Sequence, residues 1–505
     1  MKPPFQKVLV ANRGEIAVRV LRALREEGIA SVAVFSEADR DALHVRFADQ
    51  AYGIGPAPSS ESYLRHEAIL MAARRAGADA VHPGYGFLSE NAAFARACEE
   101  AGLVWIGPGP EAIRAMGNKL EARALARQAG VPVVPGSPGP VADAATARKV
   151  AAEIGYPVML KAAAGGGGKG MRVVWEAKDL DSALSLTRGE AAGAFSDDTV
   201  YLEKYIEHPR HIEIQIMGDD AGNVVHLGER ECSLQRRHQK VVEEAPSVWM
   251  TPERRAAMGK AAVALAKAVG YRNAGTVEFI AEPSGSFYFL EMNTRLQVEH
   301  PVTELVYGVD LVREQLRVAG GGLLPWKQED LRPVGWAIEC RIYAEDPYNR
   351  FLPSLGVIRA LRLGSGPGVR NDMGIYQGYE VPRHYDPMLG KLIAFGEDRE
   401  TARRRMLRAL REMLVEGIRT NISFHRWMLA REEFIHGTFD TRFIEQVFHG
   451  TERREDPQRA RAAVIAAVIG AYEDDQRFHP PADRNGGASG WRLLGRPGAL
   501  AGKPR

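Results

Sequence analysis

Cysteine is scarce in this sequence. Its 505 residues hold three, Cys98, Cys232 and Cys340. They lie far apart and form no Cys-x-x-Cys pair, which excludes a zinc knuckle or a disulfide framework and makes a reduced cytoplasm the expected compartment. Long apolar runs are missing too. No stretch reaches the roughly 18 residues a membrane-spanning helix needs, and the opening MKPPFQKVLVANRG is too weakly apolar for a signal peptide. Neither sign of charge is in excess. With 66 Lys and Arg against 64 Asp and Glu, the formal charge is +2, which argues against a dedicated nucleic-acid or membrane-surface protein. Two nucleotide fingerprints are missing where they would be expected: the first strand–helix unit, VANRGEIA, has no GxGxxG, and the glycine run near residue 165 is not GxxxxGK[ST]. No internal repeat or low-complexity tract is present.

What is present is an ordinary globular composition, 45% apolar and 26% charged, on a chain long enough for two to four domains. Strand-like runs at Lys7–Ala11, Ser31–Phe35, Ala80–His82 and Leu103–Ile106 alternate with helical patterns. One such helix carries Ile16, Val20, Leu21 and Leu24 on its apolar face, opposite Arg19, Arg22 and Arg25, and is stopped by Gly28. Others are expected near Ser62–Ala76 and Asn91–Ala101. That alternation predicts an open, mostly parallel α/β sheet. After a Pro- and Gly-rich stretch, Val131–Ala144, a smaller α/β unit spans about Ala145–Tyr205. A β-rich region follows to about Arg341, where TVEFIAEPSGSFYFLEMN reads as a hairpin. The third region contains an amphipathic helix, Thr401–Leu414, whose apolar stripe is Ala402, Met406, Leu410 and Leu414 and whose arginines form a solvated face. In the tail, Arg459–Tyr472 suits one more helix, and Asp474–Arg505 reads as flexible.

The chemistry concentrates in four segments. Gly165, Gly166, Gly167 and Gly168 follow a strand and are bracketed by Lys161 and Lys169. Such a run costs backbone entropy unless amides must approach an anion or a lid must move. In TVEFI and FLEMN, Glu278, Glu291 and Asn293 sit among core-like apolar residues. Glu291 and Asn293, two apart on a strand, share a face, so three oxygen ligands can converge on Mg²⁺ or Mn²⁺ bound to a triphosphate. The stretch TRLQVEH adds Arg295, Gln297, Glu299 and His300. Upstream, LQRRHQKVVEE adds Gln235, His238 and Lys240. Cations beside a carboxylate can hold a small anion and remove its proton. Together these residues predict ATP- and metal-dependent activation of a small acid. Cys232 and Cys340 read as packed thiols.

These motifs, with HPGYGFLSEN, EKYIEHPRHIEIQIMGD, ECRIYAEDP and YDPMLGKLI, occur in an order that resembles the biotin carboxylases of the ATP-grasp superfamily, over about Lys7 to Phe448. The resemblance implies a mixed α/β and α+β multidomain fold. It would comprise an N-terminal α/β domain (1–115), an ATP-grasp lid domain (116–205), an ATP-grasp core (206–330), a β-rich C-terminal biotin carboxylase domain (331–450) and a tail (451–505). It implies nucleotide contacts at Lys119, Lys161, Glu203, His211, Gln235, His238, Glu278 and Glu291, under a mobile phosphate lid at Gly165–Gly168. It places metal at Glu278, Glu291 and Asn293, and bicarbonate at Lys240, Arg295, Gln297, Val298 and Glu299. Glu299 would be the general base, with Lys240 and Arg295 also catalytic. Arg341 would stabilise the biotin enolate, and Tyr85 would line the approach of biotin.

The implied reaction is ATP-dependent carboxylation of carrier-borne biotin through carboxyphosphate. It is the first half-reaction of an acetyl-CoA or acyl-CoA carboxylase built from several chains, of the kind that feeds fatty acid biosynthesis, or of pyruvate carboxylase. The sequence has no Met-Lys-Met tripeptide, so the biotin carboxyl carrier protein and the carboxyltransferase are expected on separate chains, and a homodimer is implied. Three other readings compete. A carbamoyl-phosphate synthetase-like ligase would call for a duplicated second half, which is absent. A dinucleotide-dependent oxidoreductase would call for GxGxxG in the first α/β unit, which VANRGEIA lacks. A non-catalytic regulatory role is opposed by intact Glu299, Lys240, Arg295 and Arg341.

Overall fold

The computed structural model describes residues 5–163, 170–195, 197–451 and 457–478. The first apolar run forms β1 (Lys7–Val10), with Val8, Leu9 and Val10 fully buried. Val8 and Val10 enter one core and Leu9 another, as expected for a strand covered on both faces. Next comes α1 (Gly14–Glu26), which buries Ile16, Val20, Leu21 and Leu24. Arg22 and Arg25 are exposed as expected. Arg19 is not: it is buried and ion-paired to Glu304 at 2.9 Å and Asp310 at 2.6 Å. Helical periodicity could not foresee acids almost 300 residues away.

Strands β2 (Ala30–Ser36), β3 (Gln50–Gly55), β4 (Ala80–His82) and β5 (Val104–Trp105) complete a parallel sheet in the order β3-β2-β1-β4-β5. Helices α2 (His66–Ala76) and α3 (Ala92–Glu100) connect its strands. Then α4 (Pro110–Gly117) and α5 (Lys119–Gln128) meet at Asn118, whose side chain caps α5 by accepting from the amides of Leu120 and Glu121.

A small unit follows: α6 (Ala144–Ile154), β6 (Val158–Ala162), β7 (Met171–Val174), α7 (Leu180–Phe195) and β8 (Val200–Lys204). Its three strands pair antiparallel in the order β7-β6-β8. The glycines expected to form the lid, Gly165–Gly168, lie outside the described residues.

The largest sheet contains β9 (Arg210–Gly218), β10 (Val224–Arg236), β11 (Gln239–Ala245), β12 (Asn273–Ala281), β13 (Phe287–Asn293), β14 (Trp336–Tyr343), β15 (Val369–Met373) and β16 (Met388–Gly396). Its order is β13-β12-β9-β10-β11-β14-β16-β15, antiparallel throughout. The β11–β14 pairing carries it without a break across residue 330. Alternation decides its faces. Ile212, Ile214 and Ile216 of β9 join Val277 and Phe279 in a core beneath α8 (Pro252–Ala268). The alternate residues His211, Glu213 and Gln215 face the other way, towards α9 (His300–Tyr307). After α10 (Leu311–Ala319), the last long helix of this unit is α11 (Arg399–Glu412), which buries Ala402, Met406 and Leu410. It ends before Leu414. That residue was expected on the apolar stripe but lies on a short strand paired with residues 360–362, because Met413 is already extended.

Contacts divide the chain into two compact units, Met1–Gly450 and Thr451–Arg505. In the second, α12 (Pro457–Phe478) runs past Asp474. Asp474–Phe478 are therefore helical, where polar composition alone suggested a flexible segment. Among the described residues no helix is long and apolar enough to cross a membrane.

Candidate active site

A cleft of about 880 Å³ opens along the polar face of the large sheet. The turn between β10 and β11 helps to shape it. Register pairs Gln235 with Lys240 and Arg236 with Gln239, leaving a two-residue turn, Arg237–His238, with φ of +50° and +66°. Neither residue is glycine, so this left-handed turn is strained, a feature that concentrates at functional sites. It sets Gln235 and Lys240 side by side, and both line the cleft with His238.

Lys240 is the hub. Its Nζ donates to Glu213 at 2.5 Å, to Glu299 at 2.7 Å and to Glu278 at 2.9 Å. Burial works against this ammonium, yet the three carboxylates hold its pKa well above the usual lysine range. Glu299 has no exposed surface. Its second oxygen accepts from Arg341 Nη2 at 2.9 Å. Burial opposes its charge, but Lys240, Arg341 and Arg230 keep it well below the carboxylate range. Arg341 Nε in turn donates to Glu243 at 2.5 Å. Arg295, Gln297 and Val298 also line the cleft. Arg295 is steadied by Glu90 at 2.8 Å and by Asn293 Oδ1 at 2.9 Å.

Across the β12–β13 pair, Glu278 stands directly opposite Glu291, and Thr276 opposite Asn293. Glu278 Oε1 accepts from Asn293 at 2.8 Å, and Oε2 lies 2.8 Å from His211 Nε2. Gln235 Nε2 lies 2.8 Å from His211 Nδ1. Burial opposes the charge on Glu278, but Lys240 and His211 hold its pKa well down. Burial first, then the charge of Glu278, raises Glu291. Two facing carboxylates in mutual repulsion, with a carboxamide beside them, fit a hard divalent cation. On the small unit, Lys161 Nζ lies 2.5 Å from Glu203, which also pairs with Arg123. Burial, then the charges of Arg123 and Lys119, push Lys161 down to about 8. These residues are not among those lining the cleft.

Tyr85 lines the cleft and donates to Glu15. Lys391, fully buried, reaches Glu15 at 3.2 Å and the carbonyl of Val298 at 2.7 Å. Cys232 Sγ is 3.9 Å from Glu299, and burial, then Glu213, raises its thiol far above the ordinary range. This is a packed thiol, not a nucleophile.

Known families match this arrangement in chain order. Residues 4–113 match the biotin carboxylase N-terminal domain. Residues 118–327 match the ATP-binding domain of the carbamoyl-phosphate synthase L chain. Residues 339–446 match the biotin carboxylase C-terminal domain. A biotin carboxylase from Allochromatium vinosum is 54% identical over 448 residues, covering 88% of this chain and 99% of that one. The chain belongs to the biotin carboxylase family. A pyruvate carboxylase subunit from Methanothermobacter thermautotrophicus is 51% identical over 490 residues, covering 94% of this chain and 100% of that one. The crystal structure of a Campylobacter jejuni biotin carboxylase–β-γ-ATP complex superposes with a TM-score of 0.84 at 50% identity, over 88% of this chain and 99% of that one.

Five residues of the network carried no sequence signal strong enough to single them out: Glu15, Glu90, Glu213, Glu243 and Lys391. Alternation in HIEIQIM offered a clue to Glu213, since it shares a strand face with His211. A lysine inside the apolar run MLGKLIAFG offered another, since buried charges must be paired.

Proposed function

We propose that this chain carboxylates biotin on a carrier protein, using ATP and bicarbonate through carboxyphosphate. The observation that carries the reading is the Lys240 hub, which ties an anion-holding ammonium to Glu299 and, through Glu299, to Arg341. Bicarbonate would sit between Lys240, Arg295, Gln297 and Val298. Its negative charge draws Lys240 away from Glu299, which raises the basicity of Glu299 and lets it take the bicarbonate proton. The freed oxyanion attacks the γ-phosphate of a nucleotide that Lys119, Lys161, Glu203, His211, Gln235 and His238 would surround. Glu278, Glu291 and Asn293 would hold Mg²⁺ or Mn²⁺, which supplies positive charge to the phosphoryl oxygens. Gly165–Gly168 would close over the phosphates and exclude water from carboxyphosphate. Phosphate released with CO₂ takes the ureido proton of biotin beside Tyr85, and Arg341 stabilises the resulting anion.

We assign the reaction to the first half of an acyl-CoA carboxylase built from several chains, with carrier and carboxyltransferase separate from this chain, itself a homodimer. A Hydrogenobacter thermophilus 2-oxoglutarate carboxylase biotin carboxylase domain, 48% identical, is described as a dimer with MgADP and bicarbonate. The pyruvate carboxylase alternative gains nothing over it from coverage, since the Methanothermobacter relative covers 94% of this chain and a human propionyl-CoA carboxylase α chain 93%. The test is ATP cleavage by the purified chain. It should require bicarbonate and rise when free biotin is added; cleavage indifferent to both would refute the reading.

A further inference from the structure

Behind Arg341 lies a second pair of acids. Glu243 on β11 and Glu339 on β14 are directly opposed in the ladder, so their side chains share the face that carries Arg341. Both are fully buried. Glu243 Oε1 accepts from Arg341 Nε, while Glu243 Oε2 and both oxygens of Glu339 are buried with no hydrogen-bond partner among the described residues. Two adjacent ionised carboxylates at such a depth are costly unless each has its own cation. Of the two, among the described residues, only Glu243 is ion-paired, and not exclusively. Arg341 is shared between Glu243 and Glu299. Lys391, the other cation near Glu339, is committed to Glu15 and the Val298 carbonyl. The remaining groups that face the pair supply no uncommitted cation. Lys240 is held by Glu213, Glu278 and Glu299, His300 of α9 is kept neutral by burial and then by Lys391, and the thiol of Cys340 is raised by burial and then by Glu243.

We propose that Glu243 and Glu339 form an acid pair holding one proton, with ionised Glu243 anchoring Arg341 and protonated Glu339 removing the second charge from behind it. Glu243 is then a positioning residue for the step at Arg341, which rests on the biotin carboxylation reading above. The electrostatics agree. Burial, with Glu299 adding and Arg341 opposing, pushes Glu243 up to about 7. Burial raises Glu339 far above the carboxylate range, with Lys391 opposing and Glu243 adding. As pH falls through about 7, Glu243 takes up a proton and Arg341 loses its anchor, so the biotin step slows on the acid side.

The experiment is the pH profile of biotin-dependent kcat for the full chain, Glu243→Gln and Glu339→Gln, together with infrared spectra in H₂O and D₂O. Glu243→Gln should lower kcat by about 100-fold through misplacement of Arg341, erase the acid limb and keep the KM for ATP. Glu339→Gln should leave the limb where it is, because an amide replaces a group already neutral, and should delete a protonated-carboxyl band. Three results would overturn the proposal. The limb could move to lower pH in Glu339→Gln, which means Glu339 was ionised. No carboxyl band could be lost. Or Glu243→Gln could keep its kcat and its limb, or lose folding and ATP binding together. If the chain showed no biotin-dependent turnover at all, the infrared band would still decide whether the pair holds its proton.

Discussion

Lys240 carries three buried carboxylates at 2.5, 2.7 and 2.9 Å, so its loss differs in kind from the loss of any one of them. Lys240→Met leaves Glu213, Glu278 and Glu299 without their shared cation and should cost about 3–5 kcal/mol of stability, readable by urea denaturation, along with turnover. Glu299→Gln keeps the shape and leaves Lys240 two partners. It should fold normally yet lose roughly 10²- to 10⁴-fold in bicarbonate-dependent ATP cleavage, and an unaffected rate would remove Glu299 from the role of base. At this scale the sequence was informative about residue types that face the cleft, because Glu278, Glu291, Arg295 and Lys240 stand in short motifs. It was silent about what holds them. Glu243, Glu213 and Lys391 matter through contacts between strands far apart in sequence, and no local pattern encodes those.

At the scale of elements, period-two alternation made the β12–β13 hairpin and the two faces of β9 legible, because each strand of this pair and its neighbour has one face in an apolar core. Helix ends were less legible. The stop of α11 at Glu412 depends on the pairing of Leu414–Glu416 with residues 360–362, and the burial of Arg19 depends on acids in and beside α9 and α10. Asn118 is a test of one such joint. It closes α4 and caps α5, whose first residue is Lys119. Asn118→Ala should cost about 0.5–2 kcal/mol, measured by denaturant unfolding, and should raise the KM for ATP more than it lowers kcat, since it displaces Lys119, one of the residues proposed to surround the nucleotide, without touching Glu299.

For the whole molecule, the two compact units imply separable tasks. A chain ending at Gly450 should keep biotin-dependent turnover within about twofold of the full chain, because among the described residues none that lines the cleft lies beyond that point, and boundaries between compact units tolerate cuts. A large loss of kcat would show that the second unit supports the site. Within the first unit no such cut is available. The eight-stranded sheet joins β9–β13 to β14–β16, and fully buried Lys391 links Glu15 near the N-terminus to the Val298 carbonyl. That link has a consequence for synthesis. Glu15 leaves the ribosome roughly 20 to 75 seconds before Lys391 at about 5–20 residues per second. Throughout that interval the carboxylate of α1 lacks the lysine it is buried against. A nascent chain stalled before that lysine holds Lys240, Arg295, Gln297, Val298 and Glu299 but not the hydrogen bond that Lys391 donates to the Val298 carbonyl.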